Sequence, residues 1–354
     1  MGIMTTNYEV RERGYTMSHR IIRMQKIGFQ WEMDNPFLFC AHHKDLYPKG
    51  DAHQGPTVEL TGRQLGEDFA IKDGFRMYHG TKVPGFPVHP HRGFETVTIV
   101  TQGYVDHFDS NGASGRYGDG DVQWMTAGSG CQHAEMFPLV YEEKENPLEL
   151  FQVWLNLPAK DKFTAPDYKM LWNEDIPLIT IGPEYGANSQ VKIIAGSFYG
   201  TTAISPCPAS YAANPESKVG IFLIKMTPFA EIHLDKVSST FNRNLYYYQG
   251  EGNITIGSNS IPSAMRIKLD GNADVDIFNG KYDSYILLLE GEPIHEPVVS
   301  YGPFVMNTEA EIRQAFSDYQ HTHFGGWPWD RPDPVNDRTS GRFAKYIDGS
   351  FEKK

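Results

Sequence analysis

The sequence has few cysteines, no long apolar run and no excess of positive charge. Its 354 residues include three cysteines, Cys40, Cys131 and Cys207, which stand far apart. An odd, widely spaced set does not make a disulfide framework, so we expect a reducing compartment: the cytoplasm, or the nucleus if the source is eukaryotic. The first residues are polar, and no apolar stretch of roughly 18 residues occurs. The sequence therefore predicts neither a signal peptide nor a transmembrane helix.

The charge balance is acidic, with a formal net charge of −12 at pH 7. Binding to nucleic-acid phosphates depends on clustered lysine and arginine, so we expect no direct nucleic-acid binding and, for a macromolecular partner, a protein. What the chain does contain is 13% aromatic residues, 34 glycines and 23 prolines. That composition favours many short strands joined by turns.

Strand-like segments recur at short intervals along most of the chain. A first block runs through "ETVTIVTQG", "GYVDHFDSNG", "GDGDVQWMTAGSG" and "LELFQVWLNLP". A charged, proline-bounded segment over residues 159–176, interpreted as a linker or a short helical crossover, separates it from a second block that runs from "VKIIAGSFYG" to "SYILLLEGEPI". This spacing is typical of antiparallel sandwiches and barrels. The sequence therefore predicts an all-β protein with two β-barrel domains, residues 25–165 and residues 166–307.

The two ends of the chain have a different character. Residues 1–24 are polar and weakly patterned, and we interpret them as an N-terminal arm. Thr308 and Glu311 form a capping-box pattern ahead of apolar residues at helical spacing, which predicts a helix. The remainder of residues 308–354 is rich in Pro, Gly and Asp, which predicts an extended tail, and its aromatic residues indicate that this tail packs along the body of the protein.

Two short segments place histidines at alternate positions. In "VHPHRGFETVTIV", His89 and His91 share one face of a strand, and Glu95 shares it too if the strand runs unbroken. "GSGCQHAEMF" offers His133 and Glu135 at the same spacing. Two such strands can bring both pairs to one point. Three imidazoles and one carboxylate leave open positions on an octahedral divalent metal such as Fe, Mn, Co, Ni, Cu or Zn.

Other histidines lack this context. His321 and His323 also stand one residue apart, but no second His/Glu pair in a strand lies near them in the sequence. We interpret them as structural or surface residues, together with His42, His43 and His53.

The segments "FPVHPHRGFETV", "GDVQWMTAGSGCQHAEM", "LFQVWLNLP" and "YGPFVMNT" resemble the pirin family, a group of two-domain cupins. The resemblance runs in order from Phe29 to the helix after Thr308, and "GGWPWDRPDPV" is similar to the tail of bacterial pirin-like proteins. The N-terminal arm has no counterpart. The resemblance implies a bicupin with two jelly-roll barrels face to face and one iron-type metal, Fe(II), in the N-terminal barrel. We expect a metal-free C-terminal barrel and a monomer.

Carried over position by position, the family's metal ligands fall on His89, His91, His133 and Glu135. Glu95 is the alternative carboxylate ligand, because general cupins use the spacing H-x-H-x3-E. We expect Glu135 to bind, since it flanks His133 at the same spacing at which His89 flanks His91. Glu95 is then expected either behind the ligands, hydrogen-bonded to a ligating imidazole and fixing its tautomer, or in a structural role.

The resemblance implies a dioxygenase that cleaves flavonols such as quercetin with O2. Glu135 would then be the catalytic residue as well as a ligand, because it can accept the proton of the flavonol hydroxyl. The alternative is a metal- or redox-dependent regulatory protein that binds a transcription factor or metabolic enzyme without turnover. Proximity to the motifs nominates five residues for the pocket wall, each of which has core packing as an equal interpretation: Phe94, Gln123, Met125, Gln132 and Phe151.

Two neighbours of the proposed ligands have simpler interpretations. Arg92 alternates away from His91, and we expect it to form an ion pair rather than to guide an anionic substrate. Cys131 has no basic neighbour in the sequence to lower the pKa of its thiol, so we expect an unreactive turn cysteine.

Overall fold

A computed structural model describes residues 20–354 of the chain. Most of the predicted N-terminal arm, residues 1–24, lies outside the described residues. The first part of the described chain forms the strands β1 Ile21–Lys26, β2 Gln30–Trp31, β3 Phe37–Tyr47, β4 Gly85–His91, β5 Phe94–Gln102, β6 Tyr104–Asp109, β7 Ser114–Gly118, β8 Val122–Thr126, β9 Cys131–Met136, β10 Asn146–Asn156 and β11 Asp167–Leu171.

The second part continues in the same way and adds one α-helix. Its elements are β12 Leu178–Ile181, β13 Ser189–Ala195, β14 Ser197–Phe198, β15 Thr201–Thr202, β16 Gly220–Met226, β17 Glu231–Leu234, β18 Asn242–Gly250, β19 Asn253–Ile256, β20 Asn259–Pro262, β21 Met265–Asp270, β22 Val275–Asn279, β23 Ser284–Gly291, β24 Val299–Tyr301, β25 Phe304–Met306, α1 Glu309–Thr322, β26 Phe343–Lys345 and β27 Phe351–Lys353.

Most of these strands form two units, each built from two antiparallel sheets, while β14-β15 and β24-β25 form separate two-stranded sheets. The first unit pairs a sheet of order β11-β8-β5-β10-β3-β2 with a sheet of order β27-β26-β7-β6-β9-β4. The second unit pairs a sheet of order β1-β21-β18-β23-β16-β13-β12 with a sheet of order β17-β22-β19-β20. This confirms the predicted all-β bicupin of two antiparallel jelly-roll barrels with a C-terminal helix.

The two barrels meet face to face through an apolar layer, here called the interdomain core. Strand β23 shows how the sequence builds it. Ile286 and Leu288 point into the second barrel, whereas Leu287 and Leu289 alternate outward into the interdomain core. A strand buried on both faces has a continuous apolar sequence rather than an alternating one, which explains the run "YILLLE". From the first barrel, the interdomain core receives side chains of β3, β5, β8 and β10.

The end strands of the described chain pair with sheets that lie far from them in the sequence, and the predicted domain ranges do not include these pairings. Strand β1 near the N-terminus pairs with β21 in the second barrel. Strand β11 lies beyond the predicted boundary at residue 165, yet it pairs with β8 in the first barrel. At the other end of the chain, β26 pairs with β7 of the first barrel. Composition marks a linker between the blocks but does not indicate which sheet edge an end strand joins.

The condition under which Glu95 would share the face of His91, a strand running unbroken through "VHPHRGFETV", is not met. Strand β4 ends at His91 and β5 begins at Phe94, and the two belong to different sheets. Between them Gly93 has φ +85°, and a Cβ at that position would lie 2.0 Å from the carbonyl oxygen of Val305. Only glycine fits such a close approach with positive φ. The side-chain parity of β4 therefore does not continue into β5.

The predicted C-terminal helix is present. The Thr308 side chain accepts a hydrogen bond from the Glu311 backbone N–H, and the Glu311 carboxylate reaches back to the N-cap backbone, which completes the capping box. The tail contains the short strands β26 and β27 despite its Pro-, Gly- and Asp-rich composition, because the edge of β7 offers it hydrogen bonds. Trp329 also anchors the tail by donating to the carbonyl oxygen of Asp109 at 2.8 Å. Within residues 20–354, no helix has the length and apolar content needed to cross a bilayer.

Trp31 lies in the interdomain core, so replacing it measures how much the packing between the barrels contributes to stability. Its ring stacks on Tyr246 of the second barrel, with centroids 4.8 Å apart. We expect Trp31→Ala to lower the free energy of unfolding by about 3–5 kcal/mol, since it opens a cavity between the barrels. Urea unfolding followed by circular dichroism measures this. Tyr185→Ala, at a side chain that is 86% exposed, is the control and should change stability by less than about 0.5 kcal/mol. A loss below about 1 kcal/mol for Trp31→Ala would contradict this role.

Candidate metal centre

Three imidazoles from two neighbouring strands converge inside the first barrel. Strands β4 and β9 are antiparallel, and His89 lies directly opposite His133. His91 follows two residues later on the same face of β4. One ring nitrogen from each of the three residues lies within 4.8 Å of the other two. The sequence prediction that the two motifs meet is therefore realised for the three histidines.

The surroundings keep these imidazoles in the form that binds metals. Burial lowers the pKa of His89 to about 4. Burial, followed by the neighbouring imidazoles, holds the pKa values of His91 and His133 well below the usual range. All three rings are thus neutral at pH 7, and a neutral imidazole has a nitrogen lone pair to give to a metal.

The hydrogen bonds of the triad also fit a bound cation. His89 donates from Nδ1 to the carbonyl oxygen of Pro87 at 2.9 Å, which leaves Nε2 as the lone-pair nitrogen. Nδ1 of His91 and both ring nitrogens of His133 are buried without hydrogen-bond partners among the described residues. Buried polar atoms without partners are costly, and a coordinated metal would remove part of that cost. The donor set therefore fits a transition metal.

Glu135 lies beside the triad, with one carboxylate oxygen 3.8 Å from Nε2 of His133. It is not in the group of atoms that converge within 4.8 Å. Its Oε1 accepts hydrogen bonds from Thr98 at 2.9 Å and from Tyr117 at 3.4 Å, and its Oε2 accepts one from Gln152. Burial raises the pKa of Glu135, which these hydrogen bonds partly oppose. The carboxylate is thus held next to His133 by three donors.

Glu95 does not hydrogen-bond to an imidazole, so the expectation that it fixes the tautomer of a ligand is wrong, whereas the alternative of a structural role agrees with its contacts. Its two oxygens accept from Trp124 at 2.9 Å, Thr126 at 2.7 Å, Ser210 at 2.8 Å and the backbone N–H of Tyr211 at 3.2 Å. Because Gly93 ends the strand of His91, Glu95 faces the second barrel instead of the triad. Burial raises its pKa to about 7. Glu95 thus connects the first barrel to the segment that precedes β16.

An aromatic cavity opens onto the triad. It has a volume of about 530 Å³, and His89 and His91 form part of its wall. The polar residues of the remaining wall are Gln30, His43, His79 and Gln152. Its aromatic rings come from strands and loops far apart in the sequence: Phe29, Phe39, Phe69, Phe86 and Trp154. A volume and lining of this kind suit a small, flat aromatic ligand.

None of the five residues predicted for the pocket wall is among the described residues that line this cavity, which corrects that prediction. Phe94 supports the site from behind, since its ring packs 5.0 Å from His91 and 4.3 Å from Trp154. Gln123 hydrogen-bonds to Nδ1 of His107 at 2.7 Å. Met125 is buried in a small cluster with Cys131.

The other two predicted wall residues face away from the cavity. The side chain of Phe151 stacks on His42 with ring centroids 4.5 Å apart and belongs to the interdomain core. Gln132 projects outward from β9 and bonds to the C-terminal segment. Strand alternation explains these errors: the neighbour of Phe151, Gln152, is the residue that lines the cavity.

Sequence reasoning missed three buried or cavity-lining residues near the triad. His107 on β6 is buried, stacks on Tyr168 with centroids 4.8 Å apart, and lies 5.6 Å from the His133 ring. His43 and Gln152 line the cavity, although His43 was interpreted as structural or surface. A signal was present for Gln152, since it is a single polar residue inside the apolar strand "LFQVWL". The prediction for His53, His321 and His323 is confirmed, because all three are exposed.

The residues next to the ligands fasten the C-terminal helix to the barrel. The predicted ion pair of Arg92 is confirmed, with its partner Asp318 on α1 at 2.7 Å. Gln132 donates to the carbonyl oxygens of His323 and Gly326 at 2.7 and 3.0 Å, and accepts from Tyr319 at 3.0 Å. Arg92, which directly follows β4, and Gln132 on β9 thus contact α1 from the side opposite to the histidines. Cys131 on β9 is buried, which raises the pKa of its thiol and agrees with an unreactive cysteine.

Comparison with known proteins identifies related chains. The family model described as Pirin matches residues 24–155, and the model described as the Pirin C-terminal cupin domain matches residues 221–325. The chain is similar to pirin-like protein 2 of Arabidopsis thaliana, with 41% identity over 276 residues, 76% of this chain and 78% of that protein. A pirin-like protein of Solanum lycopersicum is 39% identical over 258 residues, which cover 72% of this chain and 80% of that protein.

Among solved structures, the chain is similar to a crystal structure of quercetin 2,3-dioxygenase from Acinetobacter baumannii. The TM-score is 0.66 at 28% identity, over 87% of this chain and 96% of that one.

Changing each glutamate to alanine distinguishes the role of Glu135 in metal binding from the structural role of Glu95. We expect Glu135→Ala to weaken metal binding by about tenfold or more, since residues that bind or orient a metal centre contribute that much. Glu95→Ala should keep the metal but lower the free energy of unfolding by about 3 kcal/mol, because it leaves buried donors without partners. Metal content by elemental analysis and unfolding in urea check both. Loss of metal with Glu95→Ala alone would reverse the assignment.

Metal-free protein should lose stability as the pH falls, in part because of His43. Burial lowers the folded-state pKa of His43 to about 3, from an ordinary value of 6.5. The unfolded chain therefore takes up a proton between pH 6.5 and 3 that the folded chain does not. From pH 7 to pH 5 this removes about 2 kcal/mol of stability. His43→Phe should lose that much less over the same interval in urea unfolding. An unchanged pH dependence would contradict the buried, neutral state of His43.

Proposed function

Since the chain belongs to the pirin family, we propose that it is a metal-dependent dioxygenase that cleaves flavonols such as quercetin with O2. The observation that carries this proposal is the aromatic cavity of about 530 Å³ whose wall includes two of the three converging imidazoles. The similarity to a quercetin 2,3-dioxygenase structure supports it. A divalent transition metal, Fe(II) in the first instance, is proposed to be held by His89, His91 and His133, with Glu135 as the fourth ligand.

The metal, when bound, supplies Lewis acidity and the redox chemistry that O2 requires. The residues of the chain do the remaining work. Glu135 is proposed to accept the hydroxyl proton of the flavonol, because its carboxylate lies buried beside His133. Gln152 holds that carboxylate by its hydrogen bond and also borders the ligand cavity.

The cavity walls are proposed to orient the flavonol and to exclude water. Trp154 packs against Phe94 and Phe39 at ring-centroid distances of 4.3 and 4.9 Å, so its ring is fixed next to His91. Aromatic walls favour a planar, electron-rich ligand through stacking and edge-to-face contacts. Excluding water strengthens the electrostatic interactions at the triad and limits side reactions of activated intermediates.

Incubation of the Fe(II)-loaded protein with quercetin in air tests the proposal. We expect loss of the flavonol absorption band in air and none under anaerobic conditions. His91→Ala should lower kcat/KM by at least about 100-fold, because it removes a ligand of the metal. His53→Ala, at an exposed histidine outside the cavity, is the matched control and should retain activity. The absence of turnover with Fe, Mn, Co, Ni and Cu alike would refute the dioxygenase and favour the regulatory alternative.

A further inference from the structure

His43 is a buried histidine in a nest of aromatic rings. It lies on β3 and is 2% exposed. Its ring centroid is 4.8 Å from that of Tyr78, 5.3 Å from Phe29, 5.7 Å from Phe86 and 6.4 Å from Phe137, each in an edge-on arrangement. The aromatic rings therefore pack against the imidazole but provide no hydrogen-bond partners for its nitrogen atoms.

The polar atoms of His43 are not fully satisfied by the protein. Nδ1 is buried and has no hydrogen-bond partner among residues 20–354. The side chain nevertheless borders the aromatic cavity that opens onto the metal centre. Burial of a polar group without a partner is unfavourable, and such groups in native proteins commonly mark a place where a ligand or water binds. Because the side chain borders the cavity, a ligand bound there lies next to the imidazole.

Phe86 connects His43 to the metal centre. Its ring centroid is 5.7 Å from the His43 ring and 6.3 Å from the His89 ring. All three side chains line the same cavity. A planar ligand that places one polar edge at the histidine triad and lies along Phe86 therefore extends towards His43.

We propose that His43 is a specificity-determining residue that hydrogen-bonds to a hydroxyl group on an outer ring of the flavonol, at the end remote from the metal. This inference rests on the proposed function, since it concerns the same cavity and the same class of ligand. It deepens that function by selecting flavonols that carry outer-ring hydroxyls over flavonols that carry none.

The protonation state of His43 agrees with a hydroxyl partner. Burial, aided by the positive charge of Arg76, lowers the pKa of His43 to about 3, so the ring is neutral at pH 7. A neutral imidazole has one N–H donor and one acceptor nitrogen. A hydroxyl group can serve either, whereas a carboxylate on the ligand would prefer a charged partner. The site thus favours an uncharged, hydroxylated ring.

Equilibrium binding to the Ni(II)-loaded protein under anaerobic conditions tests this without any turnover. The probes are quercetin, which has outer-ring hydroxyls, and 3-hydroxyflavone, which keeps the metal-binding edge but lacks them. We expect His43→Phe to weaken quercetin binding by about tenfold and to change 3-hydroxyflavone binding by less than about twofold. Fluorescence titration gives both dissociation constants. His53→Phe, at an exposed histidine, is the control and should alter neither.

A second variant guards against misfolding of the first. His43→Gln keeps a hydrogen-bonding side chain and should recover at least half of the lost preference for quercetin, in free-energy terms. Equal weakening of both flavonols by His43→Phe, or no weakening of either, would overturn the role of His43, even if turnover is present. Hydroxyl-dependent binding without turnover would instead refute only the dioxygenase, and a wild-type protein that binds neither flavonol would refute both proposals.

Discussion

The antiparallel pairing of β4 with β9 is the constraint on which the candidate site depends. Its register places His89 opposite His133, and alternation along β4 adds His91 on the same face. A shift by one residue would turn every one of these side chains to the opposite face, where Arg92 and Gln132 now hold the C-terminal helix. One register therefore determines both the interior that can hold a metal and the exterior that binds α1.

The features that could be predicted from the sequence depend on residues close together in the chain. The spacing of His89 and His91 on one strand, and of His133 on another, follows from the two-residue period of a strand and needs no tertiary information. The capping box at Thr308 is local in the same sense. Glu95 shows the limit of such reasoning. It stands four positions after His91, but Gly93 lies between them, where the backbone of Val305 packs against it and the chain passes into another sheet.

The walls of the cavity could not be predicted, because they are assembled from strands and loops far apart in the sequence. Phe29, Phe86 and Trp154 line one cavity only after both sheets of the first barrel have formed. Proximity to a motif nominated Phe151, one position from the correct Gln152, since alternation was clear but the inward face was not known. The burial of His43 agrees with the prediction of a structural or surface histidine, but a histidine next to another histidine in the sequence carries no sign that its ring lies among aromatic side chains.

The exchange of end strands has a consequence for assembly. Strand β1 pairs with residues 265–270 and β26 pairs with β7, so neither barrel is composed of a contiguous stretch of the chain. During synthesis, β1 cannot form its pairing until β21, more than two hundred residues later, has been made. The first barrel likewise receives β26 and β27 only after residues 343–353 have been made. Pairings of such long range are formed slowly. Completion of the first barrel is thus a late event. Expression of either contiguous block of strands alone would leave a sheet edge without its partner strand.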